Sequence, residues 1–303
     1  MSDARSRVSI GLPVFNGENY IREALDSIMA QTYSDFELII SDNASTDGTE
    51  EICRAYAARD ERIRYFRNDT NLGAAKNYNR VFEMSSGVYF KWVAHDDVCA
   101  PEFLERCVGV LDREPAISVC YPRTKLIDER GQIRGTYADG LNLRSPKPHE
   151  RFRQFFETQG LCHAIFGLIR ASSLRATRLI GNYGASDRVL LGELVLHGEF
   201  CELPEYLFYR RIHPRISTTA NQTDSEIAAW FDPKKRDKIV LPRWRRFFEY
   251  LGTIKRAPLS WPERASCYIQ LAHFVLLPER WRNMVEELLR ASRIVHRSLF
   301  RSR

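Results

Sequence analysis

The feature that most restricts this chain is the alternation over its first 128 residues. Five short apolar runs each end in polar residues, with residues at helical spacing between them. The runs are "RVSIGLPVF", "FELIISDN", "RIRYFRND", "GVYFKWVAHDD" and "AISVCYPRTKLI". After the first, Ile21, Ala24, Leu25 and Ile28 fall on one helical face; after Pro101, Phe103, Leu104, Cys107, Val108 and Leu111 do the same. Such alternation predicts an α/β fold with a mostly parallel central sheet flanked by helices, and ligands in such sheets bind beyond the carboxyl ends of the strands. Four polar clusters lie at those ends: Pro13 to Glu18, Asp42 to Asp47, Asn68 to Asn77 and His95 to Asp97.

The remaining sequence changes character twice. Residues 129 to 160 are rich in Gly, Pro and charge and cross into a second half; from about residue 222 Trp, Arg and helical periodicity take over. The expected organisation is one domain over 1–221, with halves of about 1–128 and 129–221, and a mostly helical region over 222–303. That last region is basic. Residues 234 to 303 carry 17 Lys/Arg against 6 Asp/Glu, a net +11, whereas the whole chain is only +6. A basic tail suits anionic lipid, nucleic acid or an acidic partner, and charge alone does not choose. Its last helix puts Trp281, Met284, Val285, Leu288 and Leu289 on one face with Arg290 and Arg293 elsewhere. This fits a helix resting on anionic lipid and a helix docked on the body; docking is the preferred expectation.

The seven cysteines are scattered without C-x-x-C spacing, so buried, reduced thiols are expected. The start of the chain lacks a signal peptide's apolar stretch and no run is long enough to span a membrane. A cytoplasmic protein is expected, with room for a peripheral position on the inner face of a membrane.

No G-x-G-x-x-G follows the first strand and no G-K-[ST] occurs, which argues against dinucleotide and P-loop chemistry. What remains is acidic: Asp42 after the second strand, the adjacent Asp96 and Asp97 after the fourth, and Asp187 far downstream. Two neighbouring carboxylates repel and call for a cation, a partner or water. Adjacent carboxylates suit a divalent cation carrying a diphosphate, and Asp42 suits the N–H of a base or a ribose hydroxyl, so a nucleoside diphosphate with a metal is the matching ligand.

Several stretches, in order, resemble the inverting family 2 glycosyltransferases with their GT-A fold: "VSIGLPVFNGENYIREALDSIMAQTYSDFELIISDNASTDGT", "NLGAAKNYN", "HDD", "SDRVLLGELVLHGEF" and "YRRIHP". The resemblance covers roughly residues 6 to 215. It implies that Pro13, Phe15 and Glu18 line a base pocket, that Asp42 binds the base, and that Asn71, Gly73 and Lys76 lie along the nucleotide. Asp96 would contact ribose or sugar, and Asp97, with His213, would hold Mn2+ or Mg2+. His95 stands where many relatives carry an acidic residue. Asp187 matches the catalytic base, where the family usually shows an acidic pair or Asp-Trp and this chain has "SDR". The implied reaction moves a sugar from a nucleotide donor, UDP-linked in the commonest case, to a hydroxyl of a glycan or lipid-linked acceptor, as cell-surface polysaccharide biosynthesis requires. Nucleic acid is not an expected partner.

Each acid also has a plainer explanation. Asp96 and Asp97 could cap the helix after Pro101, Asp187 could cap the helix it enters, and Asp47 belongs to a turn. Two other functions stay open at this point. One is a nucleotidyltransferase, although "PVFNGENY" has no Lys or Arg to hold a triphosphate. The other is a non-catalytic protein that binds nucleotide or assembles at a membrane through its tail.

Overall fold

The computed structural model describes residues 6–158, 160–216, 220, 223–235 and 240–301. The boundary expected at 221/222 falls outside them. The first two apolar runs form β1 (Val8–Val14) and β2 (Phe36–Asp42), buried along their whole length. They are joined by α1 (Ile21–Met29), which buries Ile21, Ala24, Leu25 and Ile28. Then come α2 (Thr49–Ala57), β3 (Ile63–Arg67), α3 (Ala74–Glu83), β4 (Tyr89–Trp92), a two-residue β5 (Val98–Cys99) and α4 (Phe103–Arg113).

The second half contributes β6 (Ile117–Ile127), β7 (Ile133–Tyr137), α5 (Pro148–Glu157), β8 (Leu168–Arg170), α6 (Ala171–Arg175), α7 (Ser186–His197) and β9 (Glu199–Arg211). All nine strands share one sheet in the order β3-β2-β1-β4-β8-β6-β9-β5, with β7 added on β6. The β3-β2-β1-β4 part is parallel, as the alternation predicts. Beyond β4 the sheet is mixed: β8 is antiparallel to both β4 and β6, whereas β6 and β9 are parallel.

Register sets the site. Val14 of β1 pairs with Asp42 of β2, and Asp42 pairs with Arg67 of β3, so the three strands end level. One face of the sheet is covered by α1, α2 and α4, and its core includes Ile10, Leu12, Leu25, Phe103 and Leu104. The other face packs α3, α5 and α7 over Phe90, Trp92, Phe155 and Leu194.

Two expectations change here. The stretch "YGASDRVLLGELVLHG" reads as a loop into an amphipathic helix, but its helix α7 buries Val189 through Leu196 on all sides, because it is sandwiched between the sheet and the C-terminal helices. The stretch "EFCELPEYLFYRRIHP" reads as more than one strand and is instead one 13-residue strand, β9, held along β6 by ten register pairs.

The C-terminal region forms α8 (Asp224–Phe231), α9 (Pro242–Arg256), α10 (Trp261–Leu276) and α11 (Pro278–Arg301). These pack on the body: α9 on α7, α10 on α5, and α11 on both α9 and α10. Tyr250, Ile254, Cys267, Leu271, Val275 and Met284 are buried there. Glu287 of α11 accepts hydrogen bonds from the amides of Arg243 and Trp244, which satisfies free donors at the start of α9. Among the described residues no helix is long and apolar enough to cross a membrane.

Candidate active site

The acidic turn "HDD" connects β4 to β5, with its carboxylates turned away from α4, which has no side-chain cap. Their partners come from the end of β9. Arg210 donates from Nη1 to Asp97 Oδ2 at 2.7 Å, and the amide of Arg211 donates to Asp97 Oδ1 at 3.0 Å. His213 Nε2 lies 3.0 Å from Asp96 Oδ2. Because the Arg215 amide donates to His213 Nδ1 at 3.3 Å, that nitrogen is the acceptor and Nε2 carries the proton.

The two carboxylates are buried and driven apart in acidity. Burial pushes Asp97 up, and its neighbour Asp96 adds to this, against the pull of Arg210. Burial also opposes ionisation of Asp96, yet the His213 hydrogen bond, with His95 and Arg210, outweighs it and holds that carboxyl well below the usual range. The pair is therefore polarised: Asp96 is held ionised, whereas burial works against the ionised form of Asp97 and Arg210 and the Arg211 amide work for it.

Adjacent residues on β9 point to opposite faces, so Arg210 and Arg211 do different work. Arg211 is fully buried; it donates to the carbonyls of Asp96, Asp128 and Glu129, reaches Glu23 on α1 at 2.5 Å, and lies 4.6 Å from the ring centroid of Tyr20. Tyr20 in turn packs beside His213, with ring centroids 5.0 Å apart. Neither arginine nor Tyr20 figures in the sequence reading. The only signal is "YRRIHP" itself, two adjacent basic residues at the end of a strand whose other charges are all acidic.

The loop after β1 lies against this turn: a Cβ on Gly17 would stand 2.8 Å from the His95 ring. Pro13 is buried at the end of β1, Phe15 is 44% exposed, and Glu18 accepts from the Gly48 amide at 2.7 Å. Asp42 is fully buried, and both its oxygens are engaged: Oδ1 by the Ser45 amide at 2.8 Å, Oδ2 by the Tyr65 hydroxyl at 2.8 Å and Arg67 Nη1 at 2.9 Å. Asp47 accepts from Thr49 and the Glu18 amide, as its turn position predicts.

Asn71 organises the next loop, its Oδ1 accepting from Asn43 Nδ2 and from the Gly73 amide, both at 2.8 Å. Gly73 is required twice over: its φ is +82°, and a Cβ there would meet the Phe231 carbonyl at 2.5 Å. Lys76, on the first turn of α3, is exposed.

Asp187 enters from the other half, in the first turn of α7, where it accepts from the Arg188 amide at 2.8 Å without capping the helix. Burial pushes its carboxyl up. Tyr78 on α3 links it to the acidic turn: burial raises the Tyr78 phenol, Asp96, Asp97 and Asp187 push it the same way, and Arg210 opposes them. All three carboxylates thus act on the Tyr78 phenol, although residues 97 and 187 are far apart in sequence.

A model of the family described as Glycosyl transferase family 2 matches residues 9–175. An uncharacterized glycosyltransferase of Rickettsia felis is 38% identical over 128 residues, which is 41% of this chain and 20% of that protein. One of Haemophilus influenzae is 29% identical over 227 residues, 73% of this chain and 70% of its own length. The chain spans less than half the length of the Rickettsia relatives, from 18% to 42%.

Among solved structures, S. aureus TarS 1-349 in complex with UDP aligns with a TM-score of 0.64 at 19% identity, covering 89% of this chain and 70% of that one. The mannosyltransferase PcManGT from Pyrobaculum calidifontis, in complex with GDP-Man and Mn2+, aligns with a TM-score of 0.53 at 16% identity, covering 96% and 87%. At such identities the likeness concerns the fold, which is GT-A. With a family match across more than half of its residues, the chain belongs to glycosyl transferase family 2.

Proposed function

We propose that the protein is a divalent-metal-dependent, inverting glycosyltransferase that carries a sugar from a nucleotide-sugar donor to a hydroxyl acceptor. The observation that carries this reading is the polarised Asp96/Asp97 pair with His213, together with a buried Asp187 that acts on the same Tyr78 phenol.

Two carboxylates and an imidazole have the donor chemistry for Mn2+ or Mg2+. Among the described residues no three His, Cys, Asp or Glu side chains are grouped to hold an ion alone, so the donor's diphosphate would complete the shell. In this reading Asp97 and His213 would hold the ion, the ring giving up its present bond to Asp96 or from the Arg215 amide to free a nitrogen lone pair, and Arg210 competes with the ion for Asp97. Bound there, the ion would neutralise the charge developing on the leaving diphosphate.

The rest belongs to the side chains. Pro13, Phe15 and Glu18 surround the base, and Asp42, which fixes Tyr65 and Arg67 at the pocket's edge, would bind it by exchanging one of its present hydrogen bonds. Asn71, Gly73 and Lys76 flank the nucleotide, and Asp96 meets ribose or sugar. Asp187 takes the proton of the acceptor hydroxyl as its oxygen bonds to the anomeric carbon. The bond from that carbon to the diphosphate oxygen breaks on the opposite face and the diphosphate leaves with the electron pair, so configuration inverts and no covalent intermediate forms. Desolvation suits Asp187 to this, because it raises basicity above that of a free carboxylate.

UDP is the first donor to test, and TarS was solved with UDP and with UDP-GlcNAc. A place in cell-surface polysaccharide synthesis and a peripheral position on anionic lipid complete the reading. Trp261, Ile269, Leu276 and Trp281 are exposed on the basic C-terminal helices, which supports the second part.

Calorimetric titration with UDP, GDP, dTDP and CDP, each with and without Mn2+, tests the donor side. One nucleotide is expected to bind in a metal-dependent way, and Asp97→Ala should abolish that dependence. Equal affinity in wild type and Asp97→Ala with metal present would overturn the assignment.

A further inference from the structure

Immediately beyond Asp187 the charge of the surroundings changes sign. The Arg188 guanidinium lies 5.6 Å from the centroid of the Phe155 ring and donates to the Thr158 carbonyl at 3.1 Å. Phe155 adjoins Phe156, with centroids 5.7 Å apart, and Phe156 packs on Tyr250 at 5.0 Å and stacks on Phe274 at 4.0 Å. Arg280, in the first turn of α11, lies 3.3 Å from the centroid of Phe274. Arg246 stands one helical turn before Tyr250 on α9, and the Tyr250 hydroxyl donates to the Arg188 carbonyl at 3.4 Å. Two guanidinium groups, of Arg188 and Arg280, thus lie over one aromatic floor, and Arg246 stands within electrostatic reach of Tyr250 and Arg188.

None of the three pairs with a carboxylate among the described residues, whereas Arg243, Arg245 and Arg256 nearby all do. The acids that act on them, Asp187, Glu279 and Glu287, form no ion pair with them among the described residues. Glu287 is held by Arg243 and two amides, and Asp187 accepts from the Arg188 amide. All three arginines are half-buried, and they repel one another: burial lowers the pKa of Arg246 and of Arg280, and in each case Arg188 pushes the same way. Cations held together against desolvation and mutual repulsion leave a place for an anion.

We propose that Arg188, Arg246 and Arg280 bind a phosphate or diphosphate group carried by the acceptor. The guanidinium fork matches phosphate oxygens in pairs, and three of them suit a multiply charged group better than a single carboxylate. The site adjoins the residue that would deprotonate the acceptor, which puts the anion on the molecule bearing the attacked hydroxyl. Its identity as acceptor therefore rests on the role proposed for Asp187; the anion site itself does not. From Arg280 an exposed apolar ledge of Leu276, Leu277 and Trp281 leads outward, which suits a lipid attached to the phosphate.

The test is calorimetric binding of inorganic pyrophosphate and of farnesyl diphosphate to the full chain, without divalent cation. Saturable binding is expected, weakened roughly tenfold or more in the Arg246→Gln/Arg280→Gln double variant and unchanged in a variant of the exposed Arg59. Metal-dependent nucleotide binding should survive in the double variant, which shows that it folds. Tighter binding of farnesyl diphosphate than of pyrophosphate would identify a lipid-linked acceptor; equal binding would identify the phosphate group alone as the recognised feature. Absence of saturable binding, undiminished affinity in the double variant, or displacement by UDP would overturn the proposal. Asp187→Asn should leave anion affinity intact, so loss of the base role and loss of the anion site give different results.

Discussion

His163 is enclosed by Tyr137 and Phe208 and shares a hydrogen-bond distance of 3.0 Å with the Thr124 hydroxyl. Burial, with repulsion from Arg210, pushes its pKa down from 6.5 to about 3. The folded protein thus keeps this ring neutral where the unfolded chain would protonate it. Its contribution to stability is complete above pH 6.5 and is lost as pH falls toward 3, by up to about 1.4 kcal/mol per pH unit. Urea unfolding of wild type and His163→Gln at pH 7, 5.5 and 4.5 measures this. The variant should lose less stability over that range than wild type; parallel curves would contradict the assignment. Arg210, which depresses His163 and holds Asp97, shows how one cation can act on two buried groups at once.

Elements place these residues through close contacts that allow little slack. Gly11 sits in β1 between Trp92 and Ile39, and a Cβ there would lie 2.6 Å from Val81 of α3 and 2.7 Å from Phe90. Gly11→Ala should therefore destabilise the fold by roughly 1–3 kcal/mol, read as a lower urea midpoint with an unchanged slope. An unchanged midpoint would mean that α3 is free to move away from the sheet. The strand ends were legible in the sequence because each apolar run stops at a polar cluster, and this located Asp42, Asp96 and Asp97. The partners of those acids were not legible, since Arg210 and Arg211 are brought to Asp97 by the long β6–β9 pairing and not by local spacing. Helix α7 was misjudged for a related reason: its surroundings come from α5 and α9, so periodicity within the segment did not report them.

For the whole molecule, the C-terminal helices are part of the core. The amphipathic pattern of residues 281–289 fits lipid and protein alike, so only the packing of Tyr250, Cys267, Leu271 and Met284 separates the two. A chain ending at residue 240 would uncover Phe155, Phe156 and α7. It should bind a hydrophobic dye and melt at a lower temperature than the full chain, whereas an unchanged midpoint would show that these helices merely lie on the body. In the proposed function the two halves meet in chemistry as well, the polarised acidic pair serving the nucleotide and Asp187 the acceptor. Release of nucleoside diphosphate from a panel of sugar nucleotides with Mn2+, by wild type and by Asp187→Asn, tests that division most directly when donor affinity is measured beside it. The account predicts release from one donor class, reduced roughly 10²–10⁴-fold in the variant with donor affinity retained. No release from any donor, or equal release by the variant, would contradict it.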